Sequence, residues 1–224
     1  MPEGRIETFI VSPAEASNPE SQELCLWVGY YVDQALCESR GGYQGCELPP
    51  LAEYFRDLWT YYGEWCNGGH AYYYGNIADP EAWARASTLL GRMGLAAHQQ
   101  LLDDFIAFSA ANDDRITELF GNGQEPEAIR SFYPFDDRFR DLEKEFGPLH
   151  LRLHDWLLQQ PWLTIDPALR PLHSGLLAEY VPPHPKQAER RAANIRRRKA
   201  EMHGGMILFL HRLRDRLSRR GASR

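Results

Sequence analysis

Two histidines, His150 and His154, stand four residues apart and are followed by Asp155. On a helix that spacing puts both imidazoles on one face, where a pair can ligate a metal. The residues between them are Leu151, Arg152 and Leu153, so this is not a His-Glu-x-x-His site, and no third ligand is evident. The pair reads as two surface or interhelical histidines, and no metal is assigned. Cys66 and His70, also four apart, could form a thiol–imidazole nucleophile. The thiol, however, follows Trp65 on a core-type helix, where apolar surroundings raise the thiol pKa and blunt its reactivity. A third candidate is a small-molecule or catalytic pocket lined by Tyr62, Trp65, His70 and Tyr73, within the stretch Glu64 to Asn76. Aromatics at helical spacing more often pack a core. No Gly-x-Ser-x-Gly, P-loop or dinucleotide fingerprint occurs. No catalytic residue and no cofactor is assigned.

Carboxylates make a stronger pattern. Asp103 and Asp104, then Asp113, Asp114 and Glu118, then Asp136, Asp137 and Asp141 cluster along three expected helices, with Glu143 and Glu145 beyond. Carboxylates at intervals of several ångströms imitate a row of phosphates and would engage a basic protein. The plainer reading is solvated helix faces and N-caps, because acids in a first turn favour the helix dipole. On this reading Asp113, Asp114, Asp136 and Asp137 are caps.

The net charge of −6 hides an asymmetry. Residues 186–224 carry thirteen Lys and Arg against Glu189, Glu201 and Asp215, a net of +10, which leaves −16 on residues 1–185. Such a split bears on partners rather than fold. A basic tail tethered to an acidic body is expected to dock on it, or on a second copy in a homodimer. Nucleic-acid contact through Arg190, Arg191 and Arg196 to Lys199 is the second reading. The cysteines, Cys25, Cys37, Cys46 and Cys66, include no Cys-x-x-Cys pair. They read as reduced thiols, with Cys25 and Cys66 on buried helix faces, and Cys37–Cys46 is the one bridge that an exported chain would allow. No apolar run is long enough to span a bilayer or to form a signal h-region, so a cytoplasmic protein with no membrane contact is expected.

The elements that would position these groups are helical. Asn18-Pro19-Glu20 starts a helix with Leu24, Val28, Tyr31, Val32 and Ala35 on one face, ending near Glu38. Glycines then make a loop over residues 40–45. Pro49-Pro50 leads into a second helix with a wide stripe from Leu51 to Trp65, which Asn67-Gly68-Gly69 ends. Asp79-Pro80 starts a third, Leu95 to Ala111 make a fourth, and Asn112 caps a shorter fifth. Residues 125–131 form one or two turns. Tyr133-Pro134-Phe135 is extended, because a residue before proline avoids the α region. Asp136 or Asp137 then caps a helix to Phe146, and another runs from Gly147-Pro148 to Pro161. Residues 162–185 read as a proline-rich loop with a short helix near Ala168 or Leu176. Helix resumes at Lys186, breaks at His203-Gly204-Gly205, and ends in a piece with Met206, Leu210, Leu213 and Leu217 on one face. No period-two alternation occurs, so no sheet is predicted.

The motif Glu64-x-x-Asn67-Gly68-Gly69-His70-x-x-Tyr73-x-x-Asn76, followed by a helix and Leu90-Gly91-Arg92-Met93-Gly94-Leu95, resembles the C-terminal domain of the DNA-mimic protein family, long catalogued as a domain of unknown function. Leu95 departs from the small residue found there in the family, and Tyr72 and Tyr74 from its usual glycine or glutamine. The resemblance covers roughly residues 20–165 and implies one all-helical domain. It also implies a non-enzymatic, acidic protein-interaction surface that occupies a basic DNA-binding regulator. That surface does not transfer residue by residue, and the motif itself reads as structural. Glycines admit positive φ, Asn67 and Asn76 can satisfy helix-end groups, and Glu64 can accept from amides across the turn. The expected organisation is an all-α fold: a lead-in over 1–17, a multi-helix globular domain over 18–165, a proline-rich connection over 166–185 and a basic helical tail over 186–224.

Overall fold

The computed structural model describes residues 4–169 and 181–199. The architecture is all-α. Helix α1 spans Pro13–Ser17, α2 Glu23–Leu36, α3 Ala52–Asn76, α4 Pro80–Arg92, α5 Ala96–Gly121, α6 Glu125–Arg130, α7 Tyr133–Phe146 and α8 Leu149–Leu158. Residues 187–199 form a last described helix. Near Ala168 the chain makes a turn and no helix, and the alternative short helix near Leu176, the break at 203–205 and the leucine face from Met206 to Leu217 lie outside the described residues.

Helix α3 is the central element, packed against α2, α4, α7 and α8. Its stripe buries Phe55, Leu58, Tyr61 and Tyr62, which meet Leu24, Val28 and Val32 of α2 and Leu89 and Leu90 of α4 in one continuous core. Burying a large side chain of this kind stabilises the fold by about 1.5–3 kcal/mol. Helix α4 begins as expected. Asp79 Oδ1 accepts from the amides of Glu81 and Ala82 at 3.0 and 3.2 Å, and Pro80 opens the helix.

The structure corrects several expectations. Two short strands exist: β1, Phe9–Val11, pairs in parallel with β2, Leu163–Ile165. Three residues are too few to show a period in sequence. Phe9 and Val11 are nevertheless fully buried within the stretch read as a lead-in, and Phe9 packs on Tyr31 and Trp162. Asn112 does not cap a new helix. It lies inside α5, its side-chain amide Nδ2 donating to the Phe108 carbonyl one turn back at 2.8 Å. Asp113 and Asp114 are therefore mid-helix residues and not caps. Tyr133-Pro134-Phe135 is the first turn of α7, where proline lacks only an amide that has no intrahelical partner anyway. Asp136 and Asp137 follow inside that helix and do not cap it. Cys66 is exposed, not buried; Cys25 is buried, and all four cysteines are free. No helix among the described residues is long and apolar enough to cross a membrane.

Candidate functional site

The Asn67-Gly68-Gly69 turn ends the first of the two helical pieces that make up α3, as expected. Gly68 and Gly69 leave helical geometry, and the helix resumes from His70 to Asn76. Gly69 sits at φ +76, ψ −167, outside what other residues readily adopt. A Cβ there would also lie 2.6 Å from the Asp136 carboxylate.

That carboxylate explains the kink. Asp136 Oδ1 accepts from the His70 backbone amide at 2.8 Å and meets the His70 Nδ1 at 2.7 Å. The amide belongs to a helix start with no intrahelical acceptor. The bond to Asp136 places the imidazole proton on Nδ1, so Nε2 is free to accept from the Tyr61 hydroxyl at 2.9 Å. Burial is the largest influence on His70 and lowers its pKa, while Asp136 opposes it. A Tyr61–His70–Asp136 chain thus links α3, the kink and α7. His70 and Tyr61 expose almost nothing, at 0% and 1%. Rings close around the chain: Phe105, Phe135 and Phe139 face His70, and Tyr73 packs edge-on to Tyr61 at 4.9 Å.

The other motif residues are structural in the same sense. Glu64 Oε2 accepts from the Asn76 side-chain amide at 2.7 Å, spanning the kink, as expected of an acceptor for amides across the turn. Tyr73 is fully buried. Asn67 and Asn76 are exposed. Of the four aromatics expected around a pocket, Tyr62 bonds His150, Trp65 packs tilted against Phe139 with ring centroids 4.0 Å apart, and His70 and Tyr73 lie in the core. Glu64 and Asn67 instead border an open groove of about 350 Å³ with Tyr30, Asp33 and Trp59. Cys66 forms no pair with His70, whose nitrogens are taken by Asp136 and Tyr61. Though Cys66 is exposed, the partial covering of its sulfur raises the thiol pKa.

His150 and His154 turn to different partners. His150 Nδ1 meets the Tyr62 hydroxyl at 2.9 Å, and His154 Nε2 meets the Ala16 carbonyl at 3.2 Å. Both are buried and join α8 to α3 and to the end of α1. Among the described residues no group of three or more His, Cys, Asp or Glu side chains is placed to hold a metal.

The acidic residues separate into two sets. In the first, each acid has a local partner. Asp103 accepts from Ser87 at 2.5 Å, and Asp104 pairs with Arg138 at 2.8 Å, joining α5 to α7. Asp137 pairs with Arg140 and Asp141 with Lys144, both at 2.9 Å. Asp136 faces inward to His70. The second set, Asp113, Asp114 and Glu118, is exposed along the C-terminal half of α5. Asp113 accepts from the Tyr74 hydroxyl at 2.5 Å. Arg115, the cation within that stretch, turns away to Glu127 of α6 at 3.7 Å.

Two charged sites were not foreseen. Asp57 has a side chain only 2% exposed, held by Arg85 Nε at 2.5 Å and Arg56 Nε at 3.0 Å. Arg85 also approaches Glu53, Asp79 and Glu81. Asp57 falls on the apolar side of α3, and a charge at a core position was the available signal. The second site is Glu47. Arg190 forks onto both its oxygens at 2.6 and 2.7 Å, and this guanidinium is the main reason that Glu47 is held down to about 2.

No curated protein and no solved structure matches the chain. A family model described as DMP19-like protein matches residues 46–160, slightly more than half of the 224, from the loop before α3 to the end of α8. The match begins later than residue 20 and takes in the kinked helix, its Asp136 anchor and the α5–α7 layer. The chain belongs to the DMP19-like protein family.

Proposed function

We propose that the chain is a non-enzymatic, acidic protein-interaction domain, a DNA mimic whose α5 face engages a basic protein such as a DNA-binding regulator. One observation carries this reading. Because α5 runs unbroken from Ala96 to Gly121, Asp113, Asp114 and Glu118 lie in its C-terminal half, with Glu118 in the last turn. Negative charge there opposes the helix dipole, and Asp114 and Glu118, four apart, repel each other. Asp114 and Glu118 cost helix stability instead of adding it, so capping does not account for them. A basic partner would. The family membership is consistent with this reading, and so is the segment charge: from 96 to 146, twelve carboxylates face five Lys and Arg, a net of −7.

The test is capture of proteins on the immobilised full chain, followed by elution with salt or with duplex DNA. The expected result is a basic DNA-binding protein released by both, because exposed ion pairs are screened and DNA competes for the same surface. Asp114→Lys with Glu118→Lys should abolish capture while leaving the fold at least as stable. Capture that ignores ionic strength, or that survives the double reversal, overturns the proposal. The competing reading, a ligand site at the kink, requires access to His70, which is fully buried.

A further inference from the structure

The loop between α2 and α3 has a one-way polarity. Its amides turn back into the body. Arg40 N and Gly42 N donate to the Cys37 carbonyl, Gly41 N to Gln34 and Tyr43 N to Ala35, all at 2.9–3.0 Å. Gln44 N donates to the Glu47 carboxylate at 2.9 Å. Carbonyls and carboxylates are left facing outward, and residues 181–199 lie across them.

The hydrogen bonds between the two described segments all run in one direction. His184 N donates to the Gly41 carbonyl at 2.8 Å. Gln187 Nε2 donates to the carbonyls of Arg40 at 2.7 Å and Glu38 at 3.4 Å. Arg190 donates to the Gly42 carbonyl at 2.9 Å and to both Glu47 oxygens. Asn194 and Arg198 donate to Glu38 Oε1 at 2.9 and 3.3 Å. Gly42 makes room for this: at φ +72 a side chain is disfavoured, and a Cβ would lie 2.7 Å from Gln187 Cγ.

An acceptor-only seat selects a donor-only ligand. Guanidinium is that group, with five N–H donors, no acceptor and no loss of charge at neutral pH. A carboxylate placed on the atoms that the arm now contacts would meet only lone pairs. The occupant is anchored before its helix by the buried Val181 and His184, the latter edge-on to Tyr43 at 5.1 Å, and along its helix by polar contacts alone. No residue from 187 to 199 is buried, and Ile195 is 45% exposed. Such an occupant is salt-sensitive, and a ligand of like chemistry can replace it once it exceeds the effective concentration that tethering provides.

We propose that residues 38–47 form a receptor for an arginine-bearing helix of a basic protein, and that residues 181–199 occupy it in cis as a displaceable self-ligand. The receptor is separate from the α5 acids, and neither proposal depends on the other.

The probe is a fluorescent synthetic peptide of residues 183–199, titrated at low salt against full-length chains and read by anisotropy. Wild type, already occupied, should bind it weakly. Arg190→Glu, whose own arm is repelled by Glu47, should bind at least about tenfold more tightly, as expected for freeing a charged, bidentate acceptor. Adding Glu47→Gln to that variant should remove the gain, as should a peptide carrying Arg190→Gln. Arg190→Gln in the full chain adds no charge and carries the same comparison should the glutamate variant fold poorly. No gain over wild type in either variant, or a gain that persists with Glu47→Gln, overturns the proposal.

Discussion

Replacing Asp136 by alanine tests whether the kink in α3 is held from α7. One oxygen of Asp136 accepts both the amide and the Nδ1 proton of His70, at 2.8 and 2.7 Å. Alanine leaves two donors of a fully buried residue without a partner. A hydrogen bond to a charged group contributes about 1.5–3 kcal/mol. The Asp136 side chain is 14% exposed, so water can enter the vacated space and recover part of the loss. The expected cost is about 3 kcal/mol, a large share of the roughly 5–15 kcal/mol that holds a typical fold. With a urea slope of about 2 kcal/mol per molar, the unfolding midpoint falls by about 1.5 M. Asp136→Asn keeps one carbonyl oxygen for both donors and loses only the charge, so about half that cost is expected. Equilibrium urea unfolding by tryptophan fluorescence measures both. If alanine changes stability by less than about 0.5 kcal/mol, or asparagine costs as much as alanine, the anchoring account is wrong.

Three further outcomes follow from the same geometry. Gly69→Ala should cost more than about 2 kcal/mol, from positive φ and the approach to Asp136, whereas Gly63→Ala, in open space on α3, should stabilise by about 0.5–1 kcal/mol; thermal melts distinguish them. Burial lowers both His70 and His98 below the ordinary 6.5, Arg152 adding to the effect at His98. The unfolded chain therefore takes up protons first on acidification, so this stability is complete above pH 6.5 and declines as pH falls through and below it; His98→Leu should flatten the decline in urea midpoints between pH 7.5 and 5.5. Arg85→Met leaves the Asp57 carboxylate with Arg56 alone at a buried position and should cost about 2–4 kcal/mol by urea unfolding.

The helices were legible wherever apolar residues recur at three and four positions with a capping signal, as at Asp79-Pro80 and along Leu51 to Trp65. Errors fell where local chemistry admits two answers. Asn112-Asp113 looks like a cap, yet Ile116 continues the buried face of Leu101, Leu102 and Phe105, and packing carries α5 through. Pro134 breaks a helix from within but starts one at its first turn, and the buried Phe135 and Phe139 decide which. The kink motif was visible as a unit. Its partner was not, because Asp136 lies 66 positions away and its side chain looks like any helix-surface acid. The same distance problem hides Glu47 and Arg190, whose pairing 143 positions apart is written in no local pattern.

The two-stranded sheet has a consequence for biosynthesis. Phe9 pairs with Leu163, 154 positions later. At translation rates of about 5–20 residues per second, β1 waits roughly 8–30 s for its partner to be made. During that interval Phe9 and Val11 lack Trp162 and β2, so the first helices emerge with an uncovered apolar edge. The last turn of the matched family segment and the strand just beyond it therefore act as the closing step for the start of the chain. A nascent protein stalled before residue 163 should be held by chaperones and sensitive to protease at its N-terminus, and one stalled well past it should not.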